Sequence, residues 1–151
     1  MNGLIRQDDH WKEIMSVMSE DEREFCIKNT KKLNKNLDSA IEKSSGLTQD
    51  TILYRADDYF DITLDIGDYG NFSGFTSTSF QKRGADQFFD EERYMVKILA
   101  PKGTKGIAMN GGHGWRAKTS EHEYLLPKNS RYIVLDVNHD PKVRTATVLL
   151  I

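Results

Sequence analysis

Two glutamates that stand two positions apart, Glu121 and Glu123, are the residues of this sequence best suited to chemistry. In a β-strand, residues two apart project to the same face, so both carboxylates would enter one space while His122 faces away. Two carboxylates held side by side repel each other, which lowers the stability of the protein. A bound cation offsets this cost, or the pair is kept because a reaction requires it. An exposed edge strand also tolerates such a pair, so the motif alone carries little weight.

Two further polar features precede these glutamates in the chain. The hydroxyl-rich run Ser77–Ser79 is flanked by Phe75 and Phe80, and Arg55 ends an apolar stretch. Each has an ordinary explanation, because hydroxyls bond to the local backbone and a lone arginine commonly forms a surface ion pair. Their order along the chain, with a glycine-rich segment and Trp115 ahead of the glutamates, makes them a candidate site.

The first third of the chain predicts helices that would support such a site. Apolar residues recur at helical spacing at Trp11, Ile14, Met15 and Met18. Ser19 and Glu22 form a capping box that predicts a second helix start, and an apolar face continues to Ile41. Gly46 is the expected C-terminal stop.

The remainder of the chain predicts mainly strands. They are TILYR, YMVKILA, GIAM, EHEYLL, RYIVLDV and VRTATVLLI, with a short helix from Arg83 to Phe89. After Arg55 we expect a solvated acidic loop, which contains Asp57, Asp58, Asp61, Asp65 and Asp68. Their spacing does not match an EF-hand. Helices followed by closely spaced strands predict one α+β domain over residues 1–151.

Composition excludes several classes of protein. The 151 residues include 38% hydrophobic and 29% charged residues, which is typical of a globular domain. A net charge of -2 disfavours a general nucleic-acid binder, and a single cysteine, Cys26, excludes an internal disulfide. The four histidines have no metal-ligand spacing, so no metal is expected. We also see no membrane-spanning run and no signal-peptide core.

Arg55 in LYR, Ser77 in FTSTS, and Glu121 with Glu123 in SEHEYLLP closely resemble the Arg–Ser–Glu class of mono-ADP-ribosyltransferases. This class includes C2- and C3-like toxins and VIP2-like enzymes, and the resemblance extends over residues 75–135. It implies the ADP-ribosyltransferase fold, with N-terminal helices packed on a split, two-sheet β core around a cleft for NAD. No G-x-G-x-x-G motif follows a strand, so a Rossmann-type phosphate site is not expected.

The resemblance also implies roles for individual residues. Glu123 matches the catalytic glutamate, Ser77 the serine that orients it, and Arg55 the ligand of the NAD phosphates. Glu121 matches the acceptor-side residue and favours an arginine acceptor, since relatives that modify asparagine carry glutamine there. The additional NAD-binding candidates are Tyr54, Phe88, Phe89 and Arg93, and Trp115 is the candidate for contact with the acceptor.

The sequence leaves other functions open. Water in place of the acceptor would make the chain an NAD glycohydrolase, and loss of chemistry would leave a silent binding module of the same fold. The resemblance implies a protein acceptor as partner, an immunity protein or activator as a further candidate, and a monomer. It also implies a toxin, effector or phage protein that is secreted or delivered and acts in the cytoplasm of a target cell.

Overall fold

The computed structural model describes residues 13–14, 16–86, 92–109 and 123–151. Two helices have their bounds within these ranges, α1 (Glu20–Lys43) and α2 (Lys82–Asp86). The strands are β1 (Thr51–Asp57), β2 (Tyr69–Phe72), β3 (Thr76–Ser79), β4 (Tyr94–Ala100), β5 (Ile107–Met109), β6 (Glu123–Leu126), β7 (Ser130–Asn138) and β8 (Thr145–Leu150). The predicted α+β class is confirmed. None of the described helices is both long and apolar enough to cross a membrane.

The strands pair in the order β2-β7-β8-β4-β1-β3-β6-β5. Only β4 and β8 run parallel among these pairs. β1 matches β4 along its whole length, from Thr51–Ala100 to Asp57–Tyr94, but it meets β3 at the single pair Tyr54–Ser79. The sheet is therefore divided into a five-stranded part and a three-stranded part that join at one residue pair, which agrees with the expected two-part β core.

Helix α1 begins as the sequence predicts. The Ser19 side chain accepts from the backbone N–H of Glu22, and the Glu22 side chain accepts from the backbone N–H of Ser19. The helix ends at Lys43, three residues before the expected stop at Gly46. Gly46 has a φ of 78°, and a Cβ there would lie 2.5 Å from the carbonyl oxygen of Gly103. This glycine therefore permits a close approach between two turns.

Two groups of apolar side chains hold the structure together. The larger lies in the five-stranded part and includes Leu53, Val96, Ile98 and Val148, each fully buried. The smaller consists of Ile41, Phe75 and Leu125, with Leu37 and Ile107 packed against it. Because Ile41 is the one buried residue of α1, this second cluster attaches the helix to the three-stranded part.

Strand β2 lies where the sequence predicts only an acidic, glycine-containing loop. It pairs with β7 through Tyr69–Ile133 and Gly70–Tyr132. A Cβ at Gly70 would come within 2.6 Å of the Tyr132 ring, so the absence of a side chain allows Tyr132 to lie across the strand. Glycine is a poor strand former by propensity, and this packing requirement overrides that preference.

Candidate active site

The candidate residues meet where β1 and β3 separate. In antiparallel pairs, directly opposite residues share a face, and Ser79 lies opposite both Tyr54 of β1 and Glu123 of β6. Ser77, two residues from Ser79, belongs to the same face. The register of the three strands therefore places a serine hydroxyl diagonally across from the Glu123 carboxylate.

The Ser77 hydroxyl donates a short hydrogen bond to Oε1 of Glu123. Both residues are half-buried, so the carboxylate remains partly accessible from outside. Behind them, the Thr78 hydroxyl donates to the carbonyl oxygen of Tyr124 at 2.6 Å, which ties β3 to β6 through a buried side chain. The orientation of Glu123 is therefore fixed by its neighbour on the adjacent strand.

Arg55 joins the two parts of the sheet. Its Nη1 donates to the carbonyl oxygen of Ser77 at 2.9 Å, and its Nη2 lies 3.5 Å from Oδ1 of Asp57. The Arg55 side chain is only 15% exposed. Its Nε is buried and has no hydrogen-bond partner within the described part of the chain. The guanidinium is thus held beside Ser77 with donor capacity to spare, since it carries five N–H groups.

Asp57 is a site residue that sequence reasoning missed. The sequence predicts it in a solvated loop, but it is the last residue of β1 and is only 4% exposed. Its Oδ1 also accepts from the backbone N–H of Tyr59 at 3.1 Å. The alternation of Leu53, Arg55 and Asp57 on one strand face was the available signal, because it places the carboxylate beside the arginine.

The other predicted residues fall into two groups. Tyr54 is half-buried and, as the residue directly opposite Ser79, shares the face of Ser77 and Glu123. Arg93 immediately precedes β4 and forms an ion pair with Asp58. Glu121, Trp115, Phe88 and Phe89 lie outside the described residues. No group of three or more potential metal ligands occurs within the ranges that the structure describes.

Residues 12–150 match the family model described as ADP-ribosyltransferase exoenzyme. The chain belongs to this family. The match covers nearly the whole sequence and confirms the resemblance to the toxin-like class. No curated protein sequence is a significant match.

Solved structures of this family share the fold. The Vis toxin, an ADP-ribosyltransferase from Vibrio splendidus, aligns with a TM-score of 0.63 at 16% identity, over 91% of this chain and 64% of its own. C3stau2 from S. aureus, solved with NAD, aligns with a TM-score of 0.65 at 17% identity, over 100% of this chain and 79% of its own. Exoenzyme S from Pseudomonas aeruginosa, in complex with human 14-3-3 protein beta and bound to Carba-NAD, aligns with a TM-score of 0.64 at 19% identity. This alignment covers 93% of this chain and 67% of exoenzyme S. The chain thus spans about two thirds of the length of the Vis toxin.

Proposed function

We propose that this chain is a mono-ADP-ribosyltransferase that transfers ADP-ribose from NAD to an arginine side chain of a protein and releases nicotinamide. The observation that carries the proposal is the hydrogen bond from Ser77 to the Glu123 carboxylate, formed beside the Arg55 guanidinium. Membership of the exoenzyme family supports it. In this proposal the domain that performs the reaction comprises residues 1–151.

Glu123 has the chemistry that breaking the nicotinamide–ribose bond requires. The bonding electron pair leaves with the nicotinamide nitrogen, so positive charge develops on the ribose ring carbon and oxygen. Glycosidases stabilise the same kind of cation with a nearby carboxylate. A carboxylate held in place before the reaction stabilises that charge without reorganisation, and losing one such contact typically costs about a hundredfold to a thousandfold in rate.

Ser77 acts as a positioning residue. Its hydroxyl donates to Glu123 and thereby restricts the rotamer of the carboxylate. Hydrogen bonds to charged groups contribute about 1.5–3 kcal/mol. Losing this one is expected to lower the rate by about ten- to a hundredfold, with little change in the affinity for NAD.

Arg55 is suited to hold the pyrophosphate of NAD. A guanidinium binds phosphate oxygens through two parallel N–H groups in a fixed plane. The unpartnered, buried Nε and the remaining Nη protons of Arg55 are the available donors. By their place in the family pattern, Tyr54, Phe88, Phe89 and Arg93 would complete the binding of NAD.

The acceptor side of the proposal depends on Glu121 and Trp115. A protonated guanidinium is a poor nucleophile until a base engages it. In the proposed reaction, Glu121 takes the proton that the acceptor nitrogen loses as it bonds to the ribose carbon, and Trp115 contacts the acceptor. Mass spectrometry of a modified target tests this step, and ADP-ribose found on asparagine and not on arginine would contradict it.

The central experiment is incubation of the protein with labelled NAD and a lysate of candidate target cells. We expect labelled protein together with released nicotinamide. Glu123→Gln should lower both by about a hundredfold to a thousandfold, and Ser77→Ala by about ten- to a hundredfold. Glu24→Gln, an isosteric change at an exposed position of α1, is the control and should have no effect.

Two other outcomes would replace the proposal. Free ADP-ribose without labelled protein would identify an NAD glycohydrolase. Undetectable nicotinamide release, unchanged by Glu123→Gln, would identify a binding module of the same fold. We further propose a secreted or delivered toxin, effector or phage protein that acts as a monomer in the target-cell cytoplasm, with an immunity protein or activator as partner.

A further inference from the structure

The connection between β1 and β2, hereafter the 58–69 segment, exposes four large apolar side chains. Tyr59 is 60% exposed, Ile62 70%, Ile66 65% and Tyr69 62%. A single exposed apolar residue is ordinary on a protein surface, but several together usually mark an interaction site. These four lie close together in the sequence and serve no function in the catalytic arrangement described above.

The backbone of this segment is fixed by its own hydrogen bonds. Oδ1 of Asp61 accepts from the backbone N–H and the hydroxyl of Thr63, at 2.8 and 2.6 Å. Oδ2 of Asp68 accepts from the backbone N–H of Asp65 at 2.9 Å, and the Asp68 N–H donates to the carbonyl oxygen of Asp65. The exposed side chains are therefore presented by ordered turns.

The segment is also attached to the sheet. Gly67 donates to the carbonyl oxygen of Val134 at 2.8 Å, and Val134 donates to that of Asp68 at 2.9 Å. Phe60 is buried in the larger core, and Leu64 packs against it. Phe60 and Leu64 therefore anchor the segment in the core, while Ile62 and Ile66 remain on its exposed side.

The charged residues of this stretch of sequence are all acidic. Between Arg55 and Lys82 the sequence contains five aspartates and no lysine, arginine or histidine. Asp57 lies beside Arg55, Asp58 pairs with Arg93, and Oδ1 of Asp65 lies 3.7 Å from Nε2 of His139. Asp61 and Asp68 thus accompany the exposed apolar side chains without an ion pair among the described residues. Hydrogen bonds from Thr63 lower the pKa of one of them, Asp61, so it is charged at neutral pH. The surface is thus apolar and negatively charged.

The 58–69 segment is continuous with the candidate active site at one end and with a sheet edge at the other. It starts directly after Asp57, whose carboxylate faces Arg55. It ends in β2, which pairs only with β7 among the described strands and so has an open edge. An open edge offers backbone groups to an extended segment of another protein.

We propose that the 58–69 segment, with the edge of β2, is a docking surface for an extended segment of the protein acceptor that carries both cationic and apolar side chains. The inference rests on the proposed function. Charge complementarity identifies the occupant, because the carboxylates of the segment attract cationic side chains. Its effect is to raise the local concentration of the acceptor near Arg55 and Glu123, and it leaves the reaction with NAD unchanged.

Binding of defined peptides tests the proposal directly. The probe is a fluorescein-labelled twelve-residue peptide of alternating lysine and leucine, compared with peptides that alternate lysine with serine and glutamate with leucine. Lysine supplies the positive charge without a guanidinium that could accept ADP-ribose. We expect the first to bind most tightly and the last not to bind. The double substitution Ile62→Ser with Ile66→Ser should weaken binding at least about tenfold, since it removes two apolar contacts.

Two further variants separate charge from apolar contact. Asp61→Asn with Asp65→Asn keeps the shape of the turns and should weaken binding several-fold, with a smaller dependence on salt. Val17→Ser with Phe25→Ser is the matched control, because these residues are 85% and 70% exposed in a different part of the chain. Equal binding by the control and the isoleucine variant would overturn the proposal. So would a self-association of the wild type that the isoleucine variant abolishes, because the occupant would then be a second copy.

Turnover distinguishes this proposal from the proposed function. With agmatine, a small guanidine, as acceptor, the isoleucine variant should release nicotinamide at the wild-type rate. The lysine–leucine peptide, which contains no arginine to accept ADP-ribose, should inhibit only the labelling of protein. Loss of the agmatine reaction in the isoleucine variant would contradict a docking role. A wild type that binds the peptide but never releases nicotinamide would instead refute the proposed function alone.

Discussion

Arg55 shows how the chemistry of one residue depends on its immediate neighbours. Its guanidinium contacts a carbonyl oxygen of β3 and a carboxylate of its own strand, so its plane is set before any ligand binds. The sequence predicted that Arg55, Ser77 and Glu123 act together, because their order matches a family pattern. It did not predict that Asp57 pairs with Arg55, because a stretch with five aspartates is typical of a solvated loop.

The substitution Arg55→Lys tests the geometry of this residue. A lysine keeps the charge but offers one ammonium in place of a planar fork, so it cannot both contact the Ser77 carbonyl and bind two phosphate oxygens. We expect KM for NAD to rise about ten- to a hundredfold, with a smaller change in kcat. Steady-state kinetics of nicotinamide release measure both. Arg131→Lys, on an exposed position of β7, is the control, and an unchanged KM for Arg55→Lys would exclude phosphate binding by Arg55.

At the scale of elements, the start of α1 was predictable from the sequence and β2 was not. The capping box is a local pattern, and its hydrogen bonds form within four residues. Strand β2 depends on Tyr132, more than sixty positions away, whose ring occupies the space left by Gly70. Local propensity contains no information about such a contact. The role of Gly46 was not predictable for the same reason. The sequence predicted that it ends the helix, but it lies against the backbone of Gly103, a residue distant in the sequence.

The attachment of α1 to the sheet leads to a stability prediction. Ile41→Ala removes apolar volume from the cluster with Phe75 and Leu125, and such core truncations cost about 2–5 kcal/mol in the free energy of unfolding. Ile27→Ala, at a position that is 41% exposed on the same helix, should cost less than about 1 kcal/mol. Urea denaturation measures both, and equal costs would show that the cluster does not hold the helix.

At the scale of the whole molecule, stability should depend on pH through Tyr132. Burial, together with the charges of Asp57 and Asp61, raises the pKa of Tyr132 from 10.0 to about 12. The unfolded chain loses this proton first, so the associated stability is fully present below pH 10 and is lost as the pH rises towards 12. The change amounts to about 2–3 kcal/mol.

Comparison with Tyr132→Phe isolates this effect. The variant lacks the ionising hydroxyl, so the difference in unfolding free energy between wild type and variant should shrink or reverse between pH 10 and 12. Urea titrations at several pH values in this range measure it. Tyr69→Phe, at a position that is 62% exposed, is the control and should follow the wild type. A difference that stays constant with pH would contradict the raised pKa.

The position of β8 in the sheet has a consequence for the assembly of the core. This strand follows the other seven in sequence, yet it lies between β7 and β4 in the sheet. It therefore joins the edge pair β2–β7 to the pair that contains β1, the strand of Arg55. Without Thr145–Leu150 the five-stranded part would consist of two separate pairs, β2 with β7 and β1 with β4. A chain without these six residues would therefore lack the middle of its larger apolar core, to which Ala146, Val148 and Leu150 belong.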